Sequence, residues 1–108
     1  MIAPAPGVRV RGSRTGRPIM ALLDLLGRRW ALRILWELRE QALVFRALRA
    51  RCDDMSPSVL NRRLAELRAA GIVERDPTSG YRLTRDGSAL LAALRPLHAW
   101  AGAWARKR

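Results

Sequence analysis

Residues 56–71, Ser-Pro-Ser-Val-Leu-Asn-Arg-Arg-Leu-Ala-Glu-Leu-Arg-Ala-Ala-Gly, constrain the chain more than any other stretch. Both ends of a helix are marked in it. Ser56 suits an N-cap, and Pro57 suits the first helical position, where its missing N–H costs nothing. Gly71 stands where a left-handed residue closes a helix. Between them Leu60, Leu64 and Leu67 recur on one face, with Arg63 at its edge, and Ser58, Asn61, Arg62 and Ala65 fall on the other. That outer face is polar, cationic and small enough to approach a surface closely. It suits the floor of a DNA major groove, where Arg bonds guanine and Asn bonds adenine. A solvated amphipathic helix is the competing reading, and the rest of the chain decides between them.

Charge favours the first. The 108 residues are enough for one small domain, and they carry 21 Lys+Arg against 9 Asp+Glu, a formal net charge of +12. Every cation but Lys107 is arginine. Arginine usage can follow genome composition, but genome composition does not prevent matching carboxylates, so the excess itself points to a polyanion. Cys52 is the only cysteine, which leaves no intramolecular disulfide and fits a reducing compartment. No run of 18 apolar residues and no leader-like segment is present, so a cytoplasmic, nucleoid-associated chain without a membrane span is expected.

In chain order, residues 1–17 hold Arg9, Arg11, Arg14 and Arg17, several Pro and Gly, and no acid, and read as a flexible basic arm. It would track phosphates or a minor groove, or serve only as a tail. Pro18 opens a first helix to about residue 27, with Ile19, Leu22, Leu23 and Leu26 as its apolar stripe. A second spans about 29–40 through Trp30, Ile34, Leu35 and Leu38, with Trp36 off the stripe. Residues 41–43 would supply a brief strand. A third helix over 44–51 turns Phe45 and Leu48 inward and Arg46, Arg49 and Arg51 outward. A tight turn, 52–55, then leads into the 56–70 helix, which is the helix-turn-helix arrangement. Residues 72–76 and 81–83 pair across Pro77-Thr78-Ser79-Gly80 as a small wing. Thr84 caps a last helix, 84–106, weakened by Gly87 and Gly102 and bent at Pro96. The predicted fold is mainly α with a small β-hairpin, a winged helix-turn-helix over 18–108. Trp100 and Trp104, one turn apart, would lie bare on a monomer, so a second copy is the economical partner.

The segments Leu22-Leu23-Asp24-Leu25-Leu26-Gly27-Arg28-Arg29-Trp30, Ile34-Leu35-Trp36-Glu37-Leu38 and Phe45-Arg46-Ala47-Leu48 carry a resemblance, together with the 56–75 run and Tyr81-Arg82-Leu83-Thr84. In order and spacing they resemble the HxlR-type winged-helix transcriptional regulators, relatives of the MarR group. The resemblance implies a dimer built from the terminal helices, residues 56–70 as recognition helix and 72–83 as wing. Arg17 stands where many members carry a redox-sensing Cys before the helix-opening proline, so that thiol switch does not carry over. The wing turn, 76–80, is short for the family.

The expected function is therefore a homodimeric, sequence-specific regulator of double-stranded DNA, with repression as the default. Ser58, Asn61 and Arg62 would meet base edges. Arg46, Arg49, Ser56, Pro57, Arg63, Arg75, Thr78, Ser79 and Arg82 would grip the backbone. Ile19, Leu22, Leu23, Leu90, Leu94, Leu97, Trp100 and Trp104 would form the dimer interface, where a small aromatic effector is a further candidate beside a plain packed contact. A non-specific DNA-coating or protein-interaction module is the alternative. A lipid-surface role for the Trp-rich last helix is disfavoured by its scarcity of cations. His98 is the lone histidine and has no metal-binding company. No catalytic set, phosphate loop or cofactor motif is present, so an enzyme is not expected. Cys52, beside Asp53 and Asp54, reads as a structural thiol whose pKa those acids raise while Arg49 and Arg51 oppose the shift; the alternative is a reactive thiol, whose modification would displace the 56–70 helix.

Overall fold

The structure, a computed structural model, describes residues 17–107. The basic arm expected over 1–17 therefore lies, Arg17 apart, outside the described residues. The described part contains five helices and a two-stranded hairpin. They are α1 (Pro18–Leu26), α2 (Ala31–Glu37), α3 (Phe45–Arg51), α4 (Pro57–Ala69), β1 (Val73–Asp76), β2 (Gly80–Leu83) and α5 (Arg85–Arg106).

The core gathers Ile34 and Leu35 of α2, Leu48 of α3, and Leu60, Leu64 and Leu67 of α4 around Cys52 and Val73, all of them out of solvent. Truncating one of these leucines to alanine should cost about 2–5 kcal/mol, because lost transfer energy and a cavity add. Among the described residues no polar or charged side chain is buried, and no buried side-chain polar atom lacks a partner.

Helix α4 begins and ends as its sequence dictates. The Ser56 hydroxyl accepts the Val59 N–H at 3.4 Å, and Pro57 occupies the first turn. At the other end Gly71 takes φ +77°. Its N–H donates to the Arg68 carbonyl and the Ile72 N–H to the Leu67 carbonyl, each at 3.0 Å. This paired arrangement satisfies carbonyls that a helix end leaves open, and it needs the left-handed residue that glycine supplies cheaply.

Two helices differ from the sequence reading. In α1 the buried residues are Ala21, Leu25 and Leu26, with Leu22 half-buried, while Ile19 and Leu23 face outward. Residues 22–26 are apolar on nearly every side, so periodicity alone does not choose the inward face. Helix α2 is shorter than 29–40, because Trp30 adopts a left-handed conformation at its N-cap (φ 75°) and packs against the core from outside the helix. Leu38 ends it.

The expected first strand shrinks to one bridge. Leu43 and Tyr81 exchange N–H···O=C bonds of 2.9 and 2.8 Å, which ties the α2–α3 connection to the wing. The wing is antiparallel, with Val73 opposite Leu83 and Glu74 opposite Arg82. Thr84 then joins three segments. Its hydroxyl donates to the Gly71 carbonyl (2.6 Å) and accepts the Gly87 N–H (3.0 Å), and its own N–H donates to the Ile72 carbonyl (3.0 Å). Gly87, expected to weaken α5, is where the Ile72 carbonyl presses on the helix, and a Cβ there would fall 2.1 Å from that oxygen. Helix α5 is continuous through Pro96, and after Leu94 it runs largely in solvent.

Candidate nucleic-acid interface

Helices α3 and α4 are joined by a turn that fixes how α4 is presented. Cys52 caps α3 and is wholly buried, and Asp53 and Asp54 both adopt left-handed backbone (φ 58° and 53°). Aspartate tolerates that region better than most side chains. Arg49 stitches the turn. Its Nε donates to the Met55 carbonyl at 2.7 Å, one Nη donates to the Asp54 carbonyl at 3.3 Å, and the Asp54 N–H returns to the Arg49 carbonyl at 3.0 Å. An arginine expected to hold phosphate is thus engaged in holding the turn.

From that turn α4 buries its leucine face and turns Ser58, Asn61, Arg62 and Ala65 to solvent. The Ser58 and Ser56 hydroxyls lie 3.0 Å apart. Ser56 and Pro57 are exposed at the N-terminal end of the helix, and Arg46 is exposed on α3. Three arginine or asparagine donors on this surface, Arg46, Asn61 and Arg62, make no hydrogen bond or ion pair within the described residues.

Arg63, next in sequence to Arg62, is placed differently. Its Nε donates to the Arg29 carbonyl at 2.7 Å and its Nη1 pairs with Glu66 at 3.0 Å. The other Glu66 oxygen pairs with Arg28, which also reaches Asp24 at 3.3 Å. The Arg28 and Glu66 side chains are only 14% and 13% exposed. This cluster fastens the C-terminal end of α1 to the recognition helix. Its sole local signal was Glu66, the one acid in an otherwise cationic stretch, three residues from Arg63. Arg28 and Arg29 lie more than thirty positions away.

The wing is balanced in charge. Arg82 pairs with Glu74 at 3.0 Å and approaches Asp76 at 3.6 Å. Arg75 stays exposed, with its guanidinium 5.9 Å from the Tyr81 ring centre. The turn is set by Asp76, whose carboxylate accepts the Thr78 N–H at 2.9 Å. That bond, a hydrogen bond from Ser79 and the nearby Arg82 together hold the Asp76 carboxyl below the ordinary aspartate range. Thr78 is exposed and Ser79 half-buried at the tip.

The Cys52 thiol is pushed up chiefly by burial, with Glu37 and Asp53 adding to the shift and Arg33 opposing it. The opposing cation is therefore Arg33, not Arg49 or Arg51 as the sequence suggested, and burial outweighs the neighbouring acids. Among the described residues no group of three His, Cys, Asp or Glu side chains could hold a metal ion.

Of the residues expected at a dimer interface, Ile19, Leu23, Leu97, Trp100 and Trp104 are exposed, whereas Leu22, Leu90 and Leu94 rest partly on the chain's own core. Trp100 is 60% and Trp104 49% exposed, and their rings stack at 5.7 Å.

Comparison with known proteins agrees with this architecture. The model of the HxlR-like helix-turn-helix family matches residues 25–108. An HTH-type transcriptional regulator of Bacillus subtilis, YvaP, is 34% identical over 88 residues, which span 76% of this chain and 82% of YvaP. The quinone-bound crystal structure of YodB from B. subtilis superposes with a TM-score of 0.73 at 33% identity, covering 78% of this chain and 93% of YodB. A MarR-family regulator from Enterococcus faecalis gives a TM-score of 0.75 at 27% identity, over 93% of this chain and 96% of its own. With its recognition helix turned outward behind a braced turn and a family match over most of its length, the chain belongs to the HxlR family of DNA-binding, winged helix-turn-helix transcriptional regulators.

Proposed function

We propose that the chain acts as a homodimeric, sequence-specific repressor on an inverted-repeat operator, with α4 of each protomer in a major groove. The observation that carries this reading is the bare outer face of α4, where Asn61 and Arg62 project without partners among the described residues. In the groove Arg62 would bond guanine and Asn61 adenine, with Ser58 assisting. Arg46, Arg75, Ser56, Pro57, Thr78 and Ser79 would flank the backbone. Arg49, Arg63 and Arg82 could join them only by leaving the groups they now hold. The exposed Ile19, Leu23, Leu97, Trp100 and Trp104 support a two-fold contact between copies, since a monomer would leave this apolar surface wet. Repression would follow from α4 occupying a promoter, and a cytoplasmic, nucleoid-associated location goes with it. Among the described residues no helix is long and apolar enough to cross a membrane. A small aromatic effector is a further proposed partner, supported by the quinone bound to the similar YodB.

Selection of bound genomic fragments by the purified protein tests the reading. The expected result is one enriched palindromic motif with half-sites about 10 bp apart, or a multiple of that. A ratio of specific to non-specific affinity near unity at physiological salt would instead leave a DNA-coating module. A monomer at micromolar concentration would remove the two-fold.

A further inference from the structure

Helix α4 is fixed at both ends through its backbone. Arg49 stitches the turn before it, and Gly71 and Ile72 close it and lead into the wing. Those anchors hold the ends and leave the roll of the helix about its own axis to side chains. Leu60, Leu64 and Leu67 choose which face goes in, but apolar burial is non-directional and tolerates a small rotation. Hydrogen bonds are directional and fix an angle. They come from the flank of α4, where half-buried Arg63 and Glu66 stand between the leucine face and the outer face.

We propose that Arg28, Arg63 and Glu66 are positioning residues for base readout, setting the roll at which α4 presents Asn61 and Arg62. This rests on the reading of α4 as the helix that enters the groove. Two ties run from the flank to the segment that follows α1. Glu66 pairs with Arg28, and Arg63 Nε donates to the Arg29 carbonyl at 2.7 Å. Glu66 also pairs with Arg63 at 3.0 Å, and Asp24 braces Arg28 at 3.3 Å. A planar guanidinium held by two groups has little freedom to turn. Arg62 lies one turn from Glu66 on the same helix, so the two move together. Side-chain heads stand about 5–6 Å from a helix axis, and a roll of about 15° therefore carries them about 1.5 Å. That exceeds the roughly 0.5 Å range of donor–acceptor distance over which an N–H···O bond holds. Stability alone does not call for such a cluster, because apolar side chains of similar volume commonly fill a nearly buried site as well. What the charged groups add is a defined angle.

The test replaces the set with apolar side chains in the full chain, Arg28→Met/Arg63→Met/Glu66→Met. Amide residual dipolar couplings vary periodically along a helix and report its roll, and they are recorded without DNA. The triple variant should keep its helix content and urea midpoint, yet turn α4 by more than about 10° against α1. Its ratio of specific to non-specific affinity should fall at least about tenfold, with preference weakening at all base pairs of a half-site together. Its salt slope should hold, since none of the three grips a phosphate in this arrangement. An unturned α4 or an unchanged ratio overturns the proposal. So does a loss confined to one base pair, which would make these residues base contacts, or a salt slope lower by about one or more, which would make them phosphate contacts. Should the triple variant lose helix content, Arg28→Lys decides instead. It keeps the charge without the fork and should lower the ratio about threefold in a folded protein, and an unchanged ratio overturns the proposal. A wild type with no sequence preference would sink the operator reading, while the roll measured without DNA would still decide whether the set orients α4.

Discussion

The recognition helix and the wing both carry arginine, and the fold treats the two sets differently. Along α4, Arg62 and Arg68 stand exposed and without an ion pair among the described residues, while Arg63 is drawn inward by the only acid of the helix. In the hairpin two arginines face two carboxylates, and Arg82 is held by both of them. The helix therefore projects net positive charge, and the wing strands project none. A cation already balanced by a carboxylate releases few counterions on meeting a phosphate, so the two elements should contribute to DNA binding in different ways. The helix would supply base readout and electrostatic attraction, and the wing mainly a shaped flank in which Arg75 is the free charge.

The two arginine–carboxylate sets also differ in burial, and that gives the largest expected effect. Glu66 stands with Arg28 and Arg63 where all three side chains are at most 15% exposed. Glu66→Ala would leave Arg28 with Asp24 and Arg63 with the Arg29 carbonyl as their remaining partners at the seam between α1 and α4, and should cost about 2 kcal/mol of folding stability in urea unfolding. A loss below about 0.5 kcal/mol would mean the cluster is as solvated as the wing pair, and the distinction between the two regions would fall. Next in size are Asn61→Ala and Arg62→Ala. Each should cost about 1–3 kcal/mol in operator binding and relax preference at one base pair, with little effect on stability. Arg75→Ala should weaken every sequence alike and reduce the salt slope by about one. If the helix and wing variants cannot be told apart across operator sequences, base readout does not reside in α4.

These contrasts were legible in the sequence to unequal degrees, for physical reasons. The whole of α4 could be read because each of its signals is local. Ser56 and Pro57 mark its start, Gly71 its end, and the leucine spacing its buried face. The wing was read to within a residue because a β-prone alternating run meets a Pro-Thr-Ser-Gly turn. The inward face of α1 was not legible, since residues 22–26 offer apolar side chains in nearly all directions and only packing into the shared core chooses Leu25 over Leu23. Nor was the left-handed Trp30, a conformation rare outside glycine, asparagine and aspartate, which the hydrophobic pattern absorbed into α2. The fates of Arg49, Arg63 and Arg82 depended on partners that spacing alone does not pair: backbone carbonyls of a turn, a residue more than thirty positions away, and a cross-strand neighbour. Net charge counted these arginines correctly and could not say which were free.

A smaller effect separates the wing from the cluster at Glu66 more finely. Glu74 and Arg82 are 45% and 49% exposed, so Glu74→Gln should change folding stability by less than about 1 kcal/mol. It should nevertheless release Arg82 from one of its two carboxylates, raising affinity for all DNA sequences and steepening the salt slope by up to about one. An unchanged slope would mean that Arg82 remains neutralised by Asp76 alone or lies out of reach of phosphate.

The smallest effect distinguishes those last two outcomes, because it titrates Asp76 itself. The Thr78 N–H, then Ser79, then Arg82 favour its charged form, so its carboxyl sits below the ordinary aspartate range. A depressed folded value means that the carboxylate's contribution to the turn is fully present above the unfolded value. It is lost only as pH falls through the lower, folded one. Acid should therefore loosen the wing tip late, after ordinary surface carboxylates have protonated. The Thr78 amide shift should follow that late midpoint in an NMR titration of the full chain. Asp76→Asn keeps an acceptor for Thr78 but removes the charge near Arg82, so it should preserve the turn, abolish the late titration and, combined with Glu74→Gln, give the wing its steepest salt response. A Thr78 midpoint at or above that of ordinary aspartate would show that the turn is not held by this carboxylate.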